Sequence, residues 1–302
     1  MKSLLVGDNA FIGVSHLSQE RARTKLTQLD PRKASKIVDR AIHAGATGFS
    51  FSVHPTNTEI LRSLCDLQAS PIDLCPVLPY AAGYVRKMNE LGVTGVIRDT
   101  LSRLSVSERT RAVLGGGYAA VTRDPLRMLN TYVDVELSSL PEYGKLRTVL
   151  LHEVITDLGV SFQAVSLFES YMNHLHDRYK LTPGFVTRNL VRFIELFEKS
   201  DLPLDEVLIM TPLNKIGFQM NPSREACETI LSEPNICGHV IAMSILAGGY
   251  LALNESIEYI RRFPNLAGVT IGVSSTQQAD ETFEKLSSLL DSPPMNSPVQ
   301  HA

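Results

Sequence analysis

The chain has 302 residues, 44% of them hydrophobic, and its 29 Lys and Arg residues against 32 Asp and Glu residues give a net charge of -3. This length supports one large domain with a substantial core or two small domains, and the lack of a basic excess argues against nucleic acid as a partner. No apolar run reaches the roughly 18 residues of a membrane-spanning helix, and the apolar start of the chain is shorter than the core of a secretory signal. We therefore expect a cytoplasmic protein.

The four cysteines, Cys65, Cys75, Cys227 and Cys237, include no CxxC pair. Four cysteines in a chain of this length do not make a disulfide framework, and their spacing is not that of a zinc site. We expect reduced thiols and predict no metal site.

Short apolar runs rich in β-branched residues recur along the chain and alternate with helix-like segments. Most of these runs are continuous rather than alternating, which is typical of parallel strands covered on both faces. In chain order the strand candidates are 3–7, 47–53, 73–80, 94–99, 148–153, 183–188, 206–211, 239–244 and 268–274.

The segments between the strand candidates carry helix signals. Asp30 and Pro31 suit the N-cap and first position of one helix, and Thr56 with Glu59 has the spacing of a capping box. Segments 221–231 and 275–290 also begin with polar caps. Strand followed by helix, repeated about eight times, predicts an α/β fold of the (β/α)8 TIM-barrel class.

A barrel of this class has eight strands, so one of the nine candidates is surplus. We assign that place to 94–99, because it lies within 81–147, where the chain has room for an inserted helical segment. Residues 1–290 are predicted to form a single TIM-barrel domain. The tail 291–302 is rich in Pro and Ser and is predicted to be disordered.

Three motifs in the second half of the chain resemble those of one enzyme family. "VLLHE" (149–153) is similar to a strand that ends in Leu-His, "VIAMSILAGGYL" (240–251) to a strand and Gly-rich loop, and "VTIGVSSTQQADETFEKL" (269–286) to a loop and helix. These motifs are typical of the aldo-keto reductases, (β/α)8 barrels that reduce carbonyl compounds with NADPH. In that family the last loop and helix N-terminus hold the adenosine phosphate of the cofactor, where backbone N–H groups and the helix dipole favour an anion.

The resemblance breaks down at the family's catalytic tetrad of Asp, Tyr, Lys and His. Ser50 stands where the Asp is expected, the following "VHPTN" offers His54 and no Tyr, and "CPVLPY" contains no Lys. Only the His is retained, as His152. The aromatic residue that stacks on nicotinamide is replaced by Met243, and a basic residue near the 2′-phosphate has no clear counterpart. We therefore expect the family's standard mechanism, in which the Tyr protonates the carbonyl oxygen, to be absent.

His152 and Glu153 end a predicted strand, where barrel enzymes place their catalytic groups. His152 is therefore a candidate proton donor, and the alternative is a strand-end His that bonds a loop carbonyl. Glu153 either belongs to the same site or faces solvent.

Ser50, Ser52 and His54 alternate in the sequence, so they face one way if the second strand continues that far. Facing inward, they line a polar pocket in which two histidines share acid and base work near pH 7. The alternative is that Ser50 is a small core residue and "HPTN" a helix-capping turn.

Asp8, after the first strand, either orients His54, binds a substrate hydroxyl or forms an Asx turn.

Two Gly- and Ser-rich loops follow the last two predicted strands, where barrels commonly bind phosphate. The alternative is that their glycines only permit tight turns. Thr187 and Asn189 are rough counterparts of the residue pair that holds the nicotinamide amide in the family. Arg188 either binds an anionic substrate or is a solvated loop arginine. We predict NADP or NAD as cofactor, held by Thr187, Asn189, Ser244, Leu246, Gly248, Gly249, Gly272, Ser274, Ser275 and Gln278.

The sequence leaves three functions open. The first is an aldo-keto-reductase-like oxidoreductase that binds NADP(H) or NAD(H) and acts on a small carbonyl or alcohol, with His152 or His54 as a non-standard acid. The second is a nicotinamide-independent lyase, isomerase or hydrolase of a small phosphorylated or carboxylated metabolite. The third is a non-catalytic binding barrel. In each case we expect a small-molecule ligand and no nucleic acid or membrane partner.

Overall fold

The strands of the chain close into a parallel barrel. A computed structural model describes residues 3–13, 30–67, 69–79 and 124–290. In chain order its strands are β1 (Ser3–Gly7), β2 (Gly48–Ser52), β3 (Asp73–Leu78), β4 (Lys145–Leu146), β5 (Thr148–Leu151), β6 (Thr182–Val186), β7 (Leu208–Pro212), β8 (Val240–Met243) and β9 (Gly268–Gly272). Parallel pairing runs from β1 through β2, β3, β5, β6, β7, β8 and β9 back to β1, which closes a barrel of eight strands.

Strands β4 and β5 are two parts of one interrupted barrel strand. β4 pairs with the start of β3 and β5 with its end. The break is at Arg147, whose N–H still donates to the Leu74 carbonyl at 2.9 Å. The eight barrel strands thus correspond to the eight candidates other than 94–99, and the predicted (β/α)8 barrel is confirmed. Segment 94–99, the predicted insertion up to residue 123 and the tail 291–302 lie outside the described residues.

Helices follow the barrel strands in sequence. Among the described residues they are α1 (Pro31–His43), α2 (Pro55–Asp66), α3 (Pro125–Ser138), α4 (Glu153–Ser161), α5 (Val165–Tyr179), α6 (Leu190–Lys199), α7 (Arg224–Leu231), α8 (Pro234–Cys237), α9 (Leu253–Ile260) and α10 (Thr276–Leu290), with short 3-10 turns at Leu204–Glu206 and Ala247–Gly249. Helix α3 belongs to the predicted inserted helical segment. Within the described parts of the chain, no helix is long and apolar enough to span a membrane.

Two helix starts show which capping predictions hold. Helix α1 begins as predicted, with Pro31 at its first position and the Asp30 carboxylate accepting the Arg32 N–H at 3.3 Å. The capping box predicted for Thr56 is wrong, because α2 begins at Pro55 and His54 is its N-cap residue. Proline suits the first position of a helix, where its missing N–H needs no partner.

The hydrophobic core has one part inside the barrel and one between the barrel and the helices. Strand residues that face outward pack against the helices, so both strand faces are buried and the strands are apolar without alternation. A Cβ on Gly184 would lie 2.5 Å from Leu150 Cδ2, so the close packing inside the barrel requires glycine there. The inner cluster consists of Leu5, Cys75, Leu150, Val186, Met210 and Ile241.

Candidate active site at the carboxyl ends of the barrel strands

Polar residues follow the strands at one end of the barrel. Because all barrel strands are parallel, the residues that follow them lie on the same rim, which is where barrel enzymes place their sites. They include Asp8 after β1, His54 after β2, His152 after β5, Thr187 after β6, Ser244 after β8 and Ser274 after β9. The structure thus brings the predicted catalytic and cofactor-binding residues to one face of the barrel, while their roles stay predictions.

Asp8 connects the ends of the first two strands to helix α2. Its Oδ2 accepts hydrogen bonds from the Ser52 N–H at 2.8 Å and from the Asn57 side-chain amide at 2.7 Å. Burial raises the pKa of the Asp8 carboxyl from 3.8 to about 6, although the hydrogen bonds from Ser52 and Asn57 oppose the rise. A carboxyl group with this pKa exchanges its proton near neutral pH, as catalytic acids and bases do.

The second strand presents two serines but does not reach His54. Ser50 is 5% exposed. Ser52 is the register neighbour of Val77, and Val77 packs on the inner cluster. Because neighbours in register point to the same face of a sheet, the Ser52 side chain faces the barrel interior. β2 ends at Ser52, and the His54 N–H turns back to the Ser52 carbonyl at 2.7 Å. The alternation predicted for these three residues therefore stops at Ser52.

His54 is the N-cap residue of α2. Its Nδ1 accepts the Thr56 N–H at 3.1 Å. The capping turn that the sequence left as an alternative for "HPTN" is thus present, with the imidazole as its acceptor. Because Nδ1 accepts a hydrogen bond, the proton of the neutral ring lies on Nε2.

His152 occupies the corresponding position on α4, directly after β5. Its ring Nδ1 accepts the Val154 N–H at 3.2 Å, and the backbone N–H of His152 donates to the Leu78 carbonyl at 2.7 Å. Burial lowers the pKa of the imidazole; the Arg188 guanidinium adds to this effect and the Glu153 carboxylate opposes it. Neutral His152 therefore presents an Nε2–H donor. A neutral imidazole polarises a carbonyl oxygen but is a very weak acid, so this geometry favours hydrogen bonding over proton transfer, and the predicted role as proton donor stays a prediction.

One face of α4 holds the loop that follows β6. Glu153 and Asp157 are four residues apart, so they lie on the same side of the helix. Glu153 forms an ion pair with the Arg188 guanidinium. Asp157 accepts the Thr187 hydroxyl at 2.5 Å and the Arg188 N–H at 3.2 Å. Glu153 and Arg188 thus neutralise each other at the rim, where their side chains remain 24% and 35% exposed, so each is paired and also reaches solvent.

The two residues predicted to hold the nicotinamide amide have different surroundings. Thr187 is fully buried, and its hydroxyl donates to Asp157 and accepts the Asn189 N–H at 2.9 Å. Thr187 has no exposed surface in this structure and positions Asn189, while its predicted contact with a cofactor stays a prediction. Asn189 Oδ1 is buried and has no hydrogen-bond partner within the described residues. It is an acceptor that a ligand amide or hydroxyl can satisfy once the Asn189 side chain turns toward the rim.

The loop after β8 makes a sharp turn at the rim. Ser244, Gly248 and Gly249 all have positive φ, of 53°, 73° and 100°. Glycine adopts such angles without strain, so the turn accounts for the two glycines by itself. Leu246 packs against the helix side of the core. The geometry thus leaves Ser244 and the Gly248–Gly249 backbone as the predicted cofactor contacts of this loop, and Leu246 as mainly a packing residue.

The loop after β9 ends in a helix cap made by its own side chains. Ser275 Oγ accepts the Gln278 N–H at 3.1 Å, and Gln278 Oε1 accepts from the Ser274 N–H at 2.9 Å and the Ser274 hydroxyl at 3.0 Å. Gly272 is exposed, and a Cβ placed on it would meet only the Gly7 carbonyl, at 3.8 Å. The loop therefore has space beside Gly272, while several of its polar groups already bind one another.

Two residues of the rim were not among the predicted site residues. Asp157 lies within a helix and has no local motif; its spacing from Glu153 is the one signal in the sequence. Asn57 is fully buried, and its Oδ1 has no hydrogen-bond partner in the part of the chain that the structure describes.

Among the described residues, no group of three or more His, Cys, Asp and Glu side chains has a geometry that could hold a metal ion.

The fold has counterparts among solved structures, although the sequence does not identify them. No protein-family model and no curated protein matches the chain. Two solved structures, each named as a putative aldo-keto reductase from Pseudomonas aeruginosa, align with TM-scores of 0.56 and 0.55, each at 13% identity over 95% of this chain and 90% of theirs. At this identity the likeness concerns the fold alone. The chain therefore has the (β/α)8-barrel fold of these aldo-keto reductases, in a divergent form.

Proposed function

We propose that the protein is an oxidoreductase that binds NADP(H) or NAD(H) and acts on a small carbonyl or alcohol. The observation that carries the proposal is His152, a rim imidazole whose Nδ1 is held by the Val154 N–H, so that Nε2–H is its donor. A neutral N–H donor at the mouth of a barrel suits a group that binds and polarises a carbonyl oxygen. The fold that the chain shares with proteins named as aldo-keto reductases supports the same activity.

The rim residues fit a nicotinamide dinucleotide. Asn189 Oδ1 is buried without a hydrogen-bond partner in the described residues, as expected of an acceptor for the nicotinamide carboxamide. The open space at Gly272, next to the N-terminus of α10, suits the adenosine end. We assign Ser244, Gly248 and Gly249 to the part between them. When bound, the cofactor supplies or accepts the hydride.

The residues of the chain divide the remaining chemistry between two groups. Reduction adds a hydride to the carbonyl carbon and a proton to the oxygen. We assign to His152 the hydrogen bond that stabilises charge on the oxygen, because a neutral imidazole does not give up its last proton near neutral pH. We assign the proton to Asp8, whose pKa is about 6 and whose carboxyl contacts the inward-facing Ser52 hydroxyl. Ser52 relays that proton to the oxygen, and in the oxidation direction Asp8 takes it back.

The first test is a titration of the purified protein with NADPH, NADH, NADP+ and NAD+, measured by calorimetry and by the fluorescence of the reduced cofactors. Micromolar binding of at least one of them supports the proposal and leads to a screen of aldehydes and ketones. If none binds at millimolar concentration, the oxidoreductase proposal is wrong.

The second test concerns His152. His152→Ala should reduce kcat with any accepted carbonyl by about a hundredfold or more, the usual effect of removing a donor to a developing oxyanion. It should leave cofactor affinity within a factor of about three, because His152 is assigned to the substrate. His176→Ala is the matched control, since His176 is exposed on α5, which lies outside the barrel. Equal turnover by the two variants would remove His152 from the site.

One observation also favours the nicotinamide-independent enzyme. A buried carboxyl with a pKa of about 6 at the rim serves acid–base chemistry with or without a hydride donor. If the dinucleotides fail to bind but inorganic phosphate protects the protein against thermal unfolding, a lyase, isomerase or hydrolase of a phosphorylated metabolite becomes the better proposal. If neither binds, the non-catalytic barrel is favoured.

A further inference from the structure

The N-terminus of α10 is capped by neutral side chains. The first N–H groups of a helix are potential anion donors, and here the Ser275 hydroxyl accepts that of Gln278 at 3.1 Å. Gln278 reaches back and accepts from both the N–H and the hydroxyl of Ser274. The Gln278 amide oxygen thus takes two donors of Ser274 that an anionic oxygen would otherwise use.

The same helix end lacks cationic side chains. Residues 272–282 contain no Lys or Arg, but they contain Asp280 and Glu281. The guanidinium that reaches this helix is that of Arg40, and it is bound to both oxygens of Asp280, with contacts of 2.9, 3.2 and 2.8 Å. Lys285 donates to Asn254 at 3.1 Å, about two turns further along α10. Within the described residues, the side chains that begin α10 are therefore neutral, and acidic ones follow.

We infer that this site takes NAD(H) and rejects NADP(H). The inference rests on the proposed function, which places the adenosine end of the cofactor beside Gly272 and α10. A 2′-phosphate monoester carries about two negative charges at neutral pH and three acceptor oxygens. Gln278 and Ser274 offer it no charge, and the Arg40 guanidinium that reaches this helix is already paired with Asp280. The 2′-hydroxyl of NAD(H) is neutral and both donates and accepts, which matches an amide and a serine hydroxyl.

The expected preference is at least about tenfold in Kd for NADH over NADPH, a modest value for one unpaired charged group near the surface. Fluorescence titration of the full chain with each reduced cofactor measures it. Gln278→Arg should strengthen NADPH binding by about tenfold or more, because it removes the competing amide and adds a guanidinium. Gln277→Arg is the matched control, since the neighbouring Gln277 is exposed and bonds Glu281 at 2.9 Å, away from Ser274.

The outcomes separate this inference from the proposed function. NADH binding tighter than NADPH, with a gain in NADPH affinity for Gln278→Arg and at most a threefold gain for the control, supports the inference. NADPH binding as tight as NADH in the wild-type protein overturns it while the oxidoreductase proposal stands. Equal gains in the two Arg variants also overturn it, because the effect is then one of general charge. If neither cofactor binds, the proposed function itself fails.

Discussion

The Asp8 carboxylate is expected to destabilise the folded protein at neutral pH. Its side chain is 8% exposed and its pKa is raised from 3.8 to about 6. Because the pKa in the folded state exceeds that in the unfolded state, the folded protein binds the proton more tightly, and its stability falls as the pH rises from about 4 to about 6. The difference of 6 − 3.8 corresponds to ~3 kcal/mol at ~1.4 kcal/mol per pH unit.

Asp8→Asn should therefore stabilise the protein at pH 7. The side-chain carbonyl of the substituted residue can take the position of Oδ2 and still accept from both the Ser52 N–H and the Asn57 amide. The Asn57 amide keeps its orientation, because it also donates to the Ser52 carbonyl. After about 1 kcal/mol is deducted for less favourable hydrogen bonds, the expected gain at pH 7 is about 2 kcal/mol.

Urea unfolding between pH 4 and pH 8, followed by circular dichroism, measures both the gain and its pH dependence. The wild-type free energy of unfolding should fall across pH 4–6, and the curve of the variant should be flatter there. Asp66→Asn, at the exposed end of α2, is the control for loss of one surface carboxylate. A wild-type stability that does not fall in this range, or a variant less stable than the wild type at pH 7, would refute the reasoning.

Three further predictions concern the rim. The rate of carbonyl reduction should fall as the pH rises through about 6, because Asp8 loses the proton it is assigned to deliver. Asp8→Asn should abolish that pH dependence. A wild-type rate that does not change from pH 5 to pH 8 contradicts the assignment. Asp157→Asn should weaken cofactor binding by about tenfold, because the single amide oxygen cannot accept from both Thr187 and the Arg188 N–H. Asp177→Asn, on the exposed surface of α5, serves as control. Equal cofactor affinities of the two variants would mean that Asp157 does not support the site. Gly272→Asp has room for its side chain and should weaken binding of the dinucleotide, because the added carboxylate repels the cofactor phosphates. Calorimetry measures the affinity, and an unchanged value would remove Gly272 from the cofactor site.

The barrel could be predicted because its strands are buried on both faces. The run Thr148–Leu151 is fully buried, and such strands are continuously apolar whatever their neighbours are. The interruption of one strand at Arg147 could not be predicted in the same way. It depends on which parts of β3 the two pieces pair with, and the apolar pattern of a single segment does not carry that information.

The place of the candidate residues on the rim could be predicted, but their hydrogen bonds could not. Ends of apolar strands locate Asp8 and His152, since parallel strands finish on one rim. The sequence left a capping turn at "HPTN" open but did not identify His54 and His152 as the N-cap residues, because Ser, Thr, Asp and Asn are the usual N-cap residues and Thr56 is nearby. Nor could it show that Thr187 is buried, since that depends on Asp157, thirty residues earlier in the chain.

The two capping bonds decide how the chemistry of the rim is divided. In the aldo-keto reductases that the chain resembles, one Tyr both bonds the carbonyl oxygen and protonates it. Here the Nδ1 atoms of His54 and His152 accept backbone N–H groups, so each neutral ring keeps its proton on Nε2 as a hydrogen-bond donor. Asp8, with a pKa of about 6, is suited to release a proton near neutral pH. In the proposed oxidoreductase, binding of the oxygen and delivery of the proton are therefore assigned to different residues, so loss of His152 should lower the rate without moving the pH profile, whereas loss of the Asp8 carboxyl should remove the profile itself.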